Sequence, residues 1–329
     1  MQLRDLGEWE LLRRLAAYAP PGQLEDDAAI LQPGSAPLVV NTDVLVEGIH
    51  FSDATMAPAD VGWRAATANL SDLAAMGCSG VVGLTVGLVA PADTPWAWVE
   101  GVYGGLSEAL RQHGGQLLGG DCSGGGQRLL AITALGALGA GAIRRGDGQA
   151  GDWLLSSGPH GLSRLGLALL LQELPAALAQ DLSADLQQRA IAAHRRPTPR
   201  LDAVAALAAS RPAGAPWRVG GTDSSDGLAT AAAQLARGAG CVAELDRDAL
   251  PIDPALAQLP QGEAWCLAGG EDFELVLALT PAWGEALLAA LPGSQRIGQL
   301  IRASASAPAG SLCWQGSKQP LEAAGYSHF

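Results

Sequence analysis

Six clusters of acidic and amide side chains are the candidates for catalysis or metal binding in this 329-residue chain. In chain order the clusters are Asp26-Asp27, Asn41-Thr42-Asp43, Asn69-Leu70-Ser71-Asp72, Gly119-Gly120-Asp121, Asp223-Ser224-Ser225-Asp226-Gly227 and Gly269-Gly270-Glu271-Asp272. Each follows or ends an apolar run, so we expect it at the edge of a hydrophobic core, where carboxylates need cations. Hard oxygen ligands of this kind suit Mg²⁺, which usually binds together with phosphates. The pattern predicts a Mg²⁺-dependent enzyme that handles a nucleotide.

The overall charge of the chain is strongly acidic, with a formal net charge of -13 and a pI of about 4.7. This charge argues against nucleic acid and against an anionic membrane surface as partners, because both require clustered positive charge. Lys318 is the only lysine, and the other basic residues that carry a fixed charge are arginines. A phosphate site in this chain must therefore be neutralised by arginine or by metal ions.

Cysteine usage and the N-terminus indicate the compartment. The five cysteines include no C-x-x-C pair, which favours free thiols in a reducing compartment over a zinc site or a disulfide framework. The polar N-terminus lacks the apolar segment of a signal peptide. No apolar stretch approaches the ~20 uncharged residues that are needed to cross a bilayer. We therefore expect a cytoplasmic protein without a membrane partner.

Hydrophobic spacing in the first half predicts helices over residues 6–19, 59–76 and 98–113. Strands are predicted over residues 28–31, 38–46, 81–89, 116–118 and 129–138. Asp60 is the expected N-cap of the second helix and Gly77 its C′ residue. Within that helix Asn69 and Asp72 are three residues apart, so they share one face.

A stretch rich in glycine and charge, residues 139–151, is the best candidate for a domain boundary. Beyond it we predict strands over residues 153–156, 217–219 and 273–279, with helices over residues 163–174 and 228–237. A basic turn over residues 195–200 leads into another helix, and residues 303–310 are expected to form a loop. Strands and helices mix without a clean βαβ repeat, which favours an α+β fold over a doubly wound sheet.

Several familiar nucleotide and metal motifs are excluded. The chain has no G-x-x-x-x-G-K-[ST], and its glycine-rich stretches lack the strand–G-x-G-x-x-G–helix context of a dinucleotide fold. The stretch that begins at Asp223 is not an EF-hand, because its twelfth position is Gln234 and a helix is expected where the loop should continue. Singly, most acidic residues also have a simpler explanation: Asp223 or Asp226 could cap the following helix. Asp72 is harder to explain in this way, because an unpaired carboxylate against an apolar face is costly.

The order of the motifs resembles that of a known family. Residues 40–51, VNTDVLVEGIHF, and residues 68–77, ANLSDLAAMG, resemble the signatures of bacterial thiamine-monophosphate kinases. The motifs at residues 223–228 and 269–275 and the terminal GYSHF also match in order, so the resemblance covers essentially the whole chain. This family shares a superfamily with aminoimidazole ribonucleotide synthetase and selenophosphate synthetase.

The resemblance implies a two-domain α+β fold like that of aminoimidazole ribonucleotide synthetase. Residues 1–141 would form an N-terminal domain that binds ATP and Mg²⁺ and forms the dimer. Residues 142–329 would form a C-terminal α+β domain that completes the active site. The implied partners are ATP, thiamine monophosphate and a second copy of the chain. The implied reaction transfers the ATP γ-phosphoryl group to thiamine monophosphate, giving thiamine diphosphate and ADP.

The resemblance also implies roles for individual residues, with Asp72, Asp121 and Asp226 at the catalytic centre. The residues implied to hold several Mg²⁺ ions are Asp27, Thr42, Asp43, Asp72, Asp121, Asp223 and Asp226. Those implied to contact ATP are Asp121, Arg145, Ser225 and Tyr103. Those implied to form the thiamine phosphate pocket are His50, Glu271 and Tyr326, with the tyrosine ring facing the cationic thiamine.

The chain departs from the family pattern at Glu25, where glycine is usual, and at Cys122 and Ser327. Two alternatives stay open: another ATP-dependent enzyme of the superfamily, and a catalytically silent protein that binds nucleotide or metal. The absence of any cysteine before Cys78 and of any lysine before Lys318 counts against selenophosphate synthetase. Retention of the main acidic positions counts against a silent protein.

Overall fold

A computed structural model describes residues 1–21, 34–317 and 320–321, apart from the side chains of residues 7–9 and 320. Its contacts divide the chain into two compact units. Unit 1 comprises Met1–Leu73 and Gly80–Gly139, and unit 2 comprises Ala74–Ser79 and Ala140–Phe329. None of the described helices is both long enough and apolar enough to cross a membrane.

Unit 1 contains a four-stranded sheet with the strand order β1-β4-β2-β3. Its described strands are β1 (Leu38–Val46), β2 (Cys78–Ala90), β3 (Gln116–Gly124) and β4 (Leu129–Leu138). Its described helices are α1 (Leu3–Leu15), α2 (Pro58–Ala75) and α3 (Trp96–His113). β1 pairs antiparallel with β4, and β2 pairs parallel with β3.

Side chains of β1 alternate between two environments, as expected for a strand. Asn41, Asp43 and Leu45 lie on the more buried face, whereas Val40 and Val44 point to the exposed face. Helix α2 packs on the buried face, because Asn69 of α2 bonds Asn41 of β1. This arrangement brings the second and third acidic clusters together.

Helices α2 and α3 approach each other at two glycines. A Cβ on Gly62 would lie 1.9 Å from the carbonyl oxygen of Val102. A Cβ on Gly105 would lie 1.9 Å from the carbonyl oxygen of Ala59. Only residues without a side chain allow this separation, so the two glycines fix where α2 lies on α3.

Unit 2 contains a seven-stranded sheet with the strand order β11-β10-β7-β9-β5-β8-β6. Its described strands are β5 (Trp153–Ser156), β6 (Gly220–Asp223), β7 (Cys241–Leu245), β8 (Leu275–Leu279), β9 (Gln295–Arg302), β10 (Leu312–Trp314) and β11 (Pro320–Leu321). Its described helices are α4 (Leu162–Leu170), α5 (Ala176–Asp181), α6 (Ala184–Arg195), α7 (Leu201–Ala209), α8 (Leu228–Gly238), α9 (Gly262–Ala268) and α10 (Pro281–Ala290). Strand β8, next to the edge strand β6, is buried along its whole length and pairs antiparallel with both β5 and β6.

The α+β fold is confirmed, and the strands at residues 38–46, 129–138 and 153–156 have the predicted bounds. The strand over residues 217–219 is wrong, since β6 begins at Gly220. Trp217 instead makes tertiary contacts: its indole nitrogen donates to the Ala142 carbonyl oxygen at 2.8 Å. Asp60 is also not an N-cap, because α2 already begins at Pro58. The predicted strand over residues 28–31 lies outside the described residues.

Candidate active site

Four side chains of unit 1 form a polar group at the buried face of β1: Asn41, Asp43, Asn69 and Asp72. The Asn41 amide nitrogen donates to Asp72 Oδ2 at 2.8 Å and to Asn69 Oδ1 at 3.0 Å. Asn69 Oδ1 also accepts from the Asp43 backbone nitrogen at 3.2 Å, and its amide donates to the Ala65 carbonyl oxygen. The predicted shared face of Asn69 and Asp72 is therefore what joins α2 to β1. We call these four residues the amide–carboxylate cluster.

The amide–carboxylate cluster has the chemistry of a cation site. Burial raises the pKa of the Asp43 carboxyl group, so ionising it there has a cost that a cation would offset. Asn41 Oδ1 is buried and accepts no hydrogen bond from any residue that the structure describes. An oxygen acceptor of this kind, beside two carboxylates, suits the hard ligand preference of Mg²⁺. The residues therefore fit the predicted ion.

A protein-only metal cage is nevertheless absent from the described part of the chain. Within residues 1–21, 34–317 and 320–321, no three His, Cys, Asp or Glu side chains converge closely enough to hold a metal ion. Mg²⁺ commonly keeps several waters and binds through one or two carboxylates together with phosphates, so this finding agrees with a site that substrates complete. The predicted ligand Asp27 lies outside the described residues.

Thr42 and Asp121 lie on the other face of the same sheet. The Thr42 hydroxyl is 2.8 Å from the hydroxyl of Thr133, its partner on β4. Asp121 pairs with Gly87 on β2, and a Cβ on Gly87 would contact Ala131, two residues from Thr133 on β4. Because alternate residues of a strand share a face, the Thr42 and Asp121 side chains lie opposite to Asp43. The structure thus does not bring these two side chains into the amide–carboxylate cluster.

His50 and Tyr103, which the sequence placed at the ligands, have different surroundings. The Nδ1 atom of His50 accepts a hydrogen bond from the Val46 backbone nitrogen at 3.0 Å, which leaves Nε2 as the N–H donor of the neutral ring. Tyr103 is only 3% exposed, and its ring centroid lies 5.6 Å from that of Tyr18. Burial, followed by the nearby Cys122, raises the pKa of Tyr103. This buried position does not favour the predicted contact with the nucleotide.

In unit 2 the acidic turn, residues 223–227, connects the end of β6 to the start of α8. Asp223 is 8% exposed, and Gly227 occupies the N-cap position of α8. Neither Asp223 nor Asp226 is therefore the N-cap residue, which was the simpler explanation for them. Arg145 approaches the same turn, because its Nε atom donates to the hydroxyl of Thr222 at 3.1 Å.

The second acidic motif of unit 2 packs directly on this turn. We call residues 269–274 the Glu271 loop. The Glu271 backbone nitrogen donates to the Ser225 carbonyl oxygen at 2.6 Å, and the Ser224 nitrogen donates to the Glu274 carbonyl oxygen at 2.9 Å. The structure therefore bonds the Glu271 loop directly to the acidic turn and places Arg145 beside Thr222, the residue that precedes this turn.

Residues 157–163 make hydrogen bonds to both the acidic turn and the Glu271 loop. The sequence analysis did not assign this segment to the site. His160 Nε2 lies 2.8 Å from Ser224 Oγ. Gly161 and Ser163 donate their backbone N–H groups to Asp272 at 2.8 and 3.2 Å. A buried histidine next to a glycine is a weak signal in a sequence, because its partners lie far along the chain.

Burial of His160 gives a prediction for acid stability. His160 is fully buried, and burial lowers its pKa to about 4. Below the ordinary pKa of histidine the unfolded chain binds a proton that the folded chain does not, so this residue destabilises the fold as pH falls from 6.5 towards 4. We expect the wild type to lose about 1–2 kcal/mol relative to His160→Gln between pH 7 and 5. Urea unfolding of both proteins at the two pH values measures this difference, and equal changes would contradict it.

Three residues named by the sequence, Glu25, Tyr326 and Ser327, lie outside the described residues together with Asp27. Their predicted roles stay predictions. The remaining candidates fall into two groups, one in each unit. Unit 1 supplies the amide–carboxylate cluster and His50, and unit 2 supplies the acidic turn, Arg145 and the Glu271 loop.

Comparison with known proteins defines the class. A model of the N-terminal domain of AIR synthase related proteins matches residues 25–138, and a model of the C-terminal domain matches residues 149–307. Together the two models cover well over half of the chain. The chain therefore belongs to the AIR synthase related family.

The similar curated proteins are thiamine-monophosphate kinases, which confirms the resemblance found in the motifs. That of Prochlorococcus marinus is 47% identical over 93% of this chain and 91% of its own length. That of Synechococcus elongatus is 49% identical over 91% of this chain and 90% of its own length. That of Escherichia coli K12 is 33% identical, with 98% of each chain covered.

Solved structures agree with this assignment. AaThiL complexed with AMPPCP and TMP has a TM-score of 0.76 and 28% identity, covering 100% of this chain and 99% of its own. Thiamine-monophosphate kinase from Stenotrophomonas maltophilia K279a has a TM-score of 0.77 and 30% identity, covering 94% and 95% of the two chains. These matches extend over both units, so neither half of the chain is an addition peculiar to this protein.

Proposed function

We propose that this chain is a thiamine-monophosphate kinase, which transfers the ATP γ-phosphoryl group to thiamine monophosphate and releases thiamine diphosphate and ADP. The observation that carries the proposal is the direct bonding of the Glu271 loop to the acidic turn in unit 2, with Arg145 held at Thr222, the residue before this turn. The curated kinases that match more than nine-tenths of the chain support it. So does a similar solved structure that contains AMPPCP, an ATP analogue, and TMP.

The chemistry requires positioning and charge neutralisation more than proton transfer. The phosphate oxygen of thiamine monophosphate is already anionic, so it attacks without a general base. Two polyanions must instead be brought together in line. Mg²⁺, when bound, supplies positive charge at the phosphates. Asp43 and Asp72 would hold it in unit 1, and Asp223 and Asp226 would hold further ions in unit 2.

The protein's own groups then orient the two substrates. Arg145, held by Thr222, would pair with ATP phosphates, and the Ser225 hydroxyl would donate to them. His50 would donate its Nε2–H to thiamine monophosphate, because its Nδ1 already accepts from Val46. Glu271 would complete the thiamine phosphate pocket with Tyr326.

The test is ADP release by the purified protein with ATP and Mg²⁺, with thiamine monophosphate present or omitted, and with EDTA as a control. We expect release that requires the acceptor, stops with EDTA and yields thiamine diphosphate. ATP turnover with a different acceptor only would indicate a sister enzyme of the superfamily. ATP binding without turnover on any acceptor would indicate a silent binding protein.

We also propose a homodimer that forms through the exposed face of the unit 1 sheet. Along β1 that face presents Leu38, Val40 and Val44, with exposures of 42%, 65% and 44%. Exposed apolar side chains that lie together on one face of a sheet mark a surface for contact with another chain. A second copy of this chain would cover them.

The cytoplasmic location and the absence of nucleic-acid partners stay predictions from composition.

Substituting Val40→Asp should therefore weaken the dimer. The added carboxylate would be buried without a partner at the interface, which costs several kcal/mol. Leu171→Asp is the control, because Leu171 is 45% exposed and lies in unit 2. Sedimentation velocity should show a dimer for the wild type and the control, and a monomer for Val40→Asp. A monomeric wild type, or a dimer for all three proteins, would contradict the proposed interface.

A further inference from the structure

The Glu271 loop has an unusual backbone. Glu271 and Phe273 have φ angles of +61° and +54°, in the left-handed region that residues with a side chain rarely adopt. Gly270, with φ +71°, precedes them, and a Cβ there would lie 2.9 Å from the Ser225 carbonyl oxygen. For a residue other than glycine this region is disfavoured, because its Cβ lies too close to the following carbonyl oxygen. Such a backbone persists only where its surroundings impose it.

Asp272, between the two left-handed residues, bonds the loop to another segment of unit 2. Its Oδ2 accepts from the Gly161 nitrogen at 2.8 Å, and its Oδ1 accepts from the Ser163 nitrogen at 3.2 Å. These are donors at the N-terminus of α4, which otherwise lack partners within the helix. Gly161, the N-cap residue of α4, has no side chain of its own to accept them. The carboxylate of one loop thus completes a helix that begins 110 residues earlier in the sequence, as the sequence separations of 111 and 109 show.

Burial of the Asp272 carboxylate indicates that this contact is not incidental. Burial raises its pKa to about 7, and the two backbone N–H groups oppose that rise. A structural cap exposed to water would avoid this cost. The site therefore keeps an enclosed carboxylate although a neutral residue such as serine or asparagine can also cap a helix.

The neighbouring residue, Glu271, is placed differently. Its side chain is 34% exposed, and its carboxylate lies 3.8 Å from Nδ1 of the buried His194. Its backbone nitrogen is bonded to Ser225, and its carboxylate, unlike that of Asp272, is partly accessible to solvent. The two adjacent acids therefore have separate tasks: one is enclosed in the protein and the other is accessible to a ligand.

We propose that Asp272 is a positioning residue for Glu271. By bonding the first turn of α4, it holds the strained loop so that the Glu271 carboxylate faces thiamine monophosphate. The inference rests on the proposed function, in which Glu271 lies in the acceptor pocket. It adds that acceptor selectivity depends on a residue that does not touch the acceptor.

The experiment compares the wild type with Asp272→Asn and with Asp246→Asn. Asp246 is the matched control, because its carboxylate also accepts a backbone N–H, that of Asp248 at 3.1 Å, outside the two loops. For Asp272→Asn we expect KM for thiamine monophosphate to rise about tenfold, with KM for ATP changed less than about threefold. Asp246→Asn should leave both KM values unchanged. Thermal melting with each ligand alone measures binding without turnover and should show the same selective loss.

A purely structural role for Asp272 would give a different result. Equal increases in both KM values, or a lower melting temperature with neither KM changed, would overturn the proposal. If Asp272→Asn does not fold, Asp272→Ser serves instead, because a hydroxyl still accepts one N–H of the helix but is too short to hold the loop. If the wild type does not turn over thiamine monophosphate, the proposed function is refuted. If the wild type is active but Asp272→Asn does not raise KM for thiamine monophosphate more than KM for ATP, only the positioning role is refuted.

Discussion

Asp72→Asn is expected to lower turnover of thiamine monophosphate by at least ~10²-fold, because a displaced metal ion misplaces both phosphates. Asp72 accepts the Asn41 amide at 2.8 Å and shares the amide–carboxylate cluster with Asp43. An amide at position 72 keeps the size of the side chain but removes its charge. It also places a second amide against that of Asn41. The loss should therefore fall on Mg²⁺ binding and on turnover more than on folding.

The control for this variant is Asp53→Asn, in the same unit. Asp53 is exposed and pairs with Arg128 at 2.9 Å, so its neutral form should retain near-normal turnover. Turnover is measured over a range of Mg²⁺ concentrations, with circular dichroism to verify folding. Near-normal turnover of a folded Asp72→Asn protein at limiting Mg²⁺ would rule out the metal role of this residue.

Gly105→Ala is expected to destabilise the protein by about 1–3 kcal/mol or more, because the new methyl group overlaps the α2 backbone. Its Cβ would lie 1.9 Å from the Ala59 carbonyl oxygen, and a backbone atom cannot move aside as a flexible side chain can. The helices must separate. Since α2 also carries Asn69 and Asp72, activity should fall with stability.

Gly104→Ala is the matched control, one residue away in the same helix. A Cβ on Gly104 would have no atom within 4 Å, so alanine there should stabilise α3 by up to ~1 kcal/mol through its helix propensity. Urea unfolding gives both values. Opposite signs are expected for the two variants, and equal effects would show that α2 and α3 do not pack as closely as described.

Much of the fold was predictable because local pattern and tertiary structure agree. β1 alternates between more buried and more exposed positions, and β4 has the same alternation. The first and last residues of both strands could therefore be predicted correctly. Trp217 shows where such reasoning fails. A strand was predicted over residues 217–219, but the Trp217 ring packs on Trp283 at a centroid distance of 5.5 Å. Aromatic residues favour strands and tertiary packing alike, and only the folded chain decides between them.

The acidic motifs gave the candidate residues of the site, but not how these residues are arranged. The resemblance implied that Asp43 and Asp72 both hold Mg²⁺, and helical spacing placed Asn69 and Asp72 on one face of α2. The same motifs did not reveal that Thr42 points to the opposite face from Asp43, although strand alternation contains that information. His160 and Asp272 could not be assigned from spacing, because their hydrogen-bond partners lie far away in the sequence.

Contacts of residues 157–163 also affect how the protein responds to acid. His160 of this segment contacts Ser224 of the acidic turn, and Asp272 of the Glu271 loop accepts from Gly161 and Ser163 of the segment. Burial shifts the pKa values of His160 and Asp272 in opposite directions, to about 4 and about 7. As pH falls from 7 to 4, the folded chain takes up a proton at Asp272 before the unfolded chain does, which favours folding. Over much of the same range the unfolded chain takes up a proton at His160 first, which favours unfolding. The two residues therefore change the free energy of unfolding in opposite directions as pH falls, and their effects partly cancel. Replacing either one with a neutral residue should make the stability of the protein depend more strongly on pH than in the wild type.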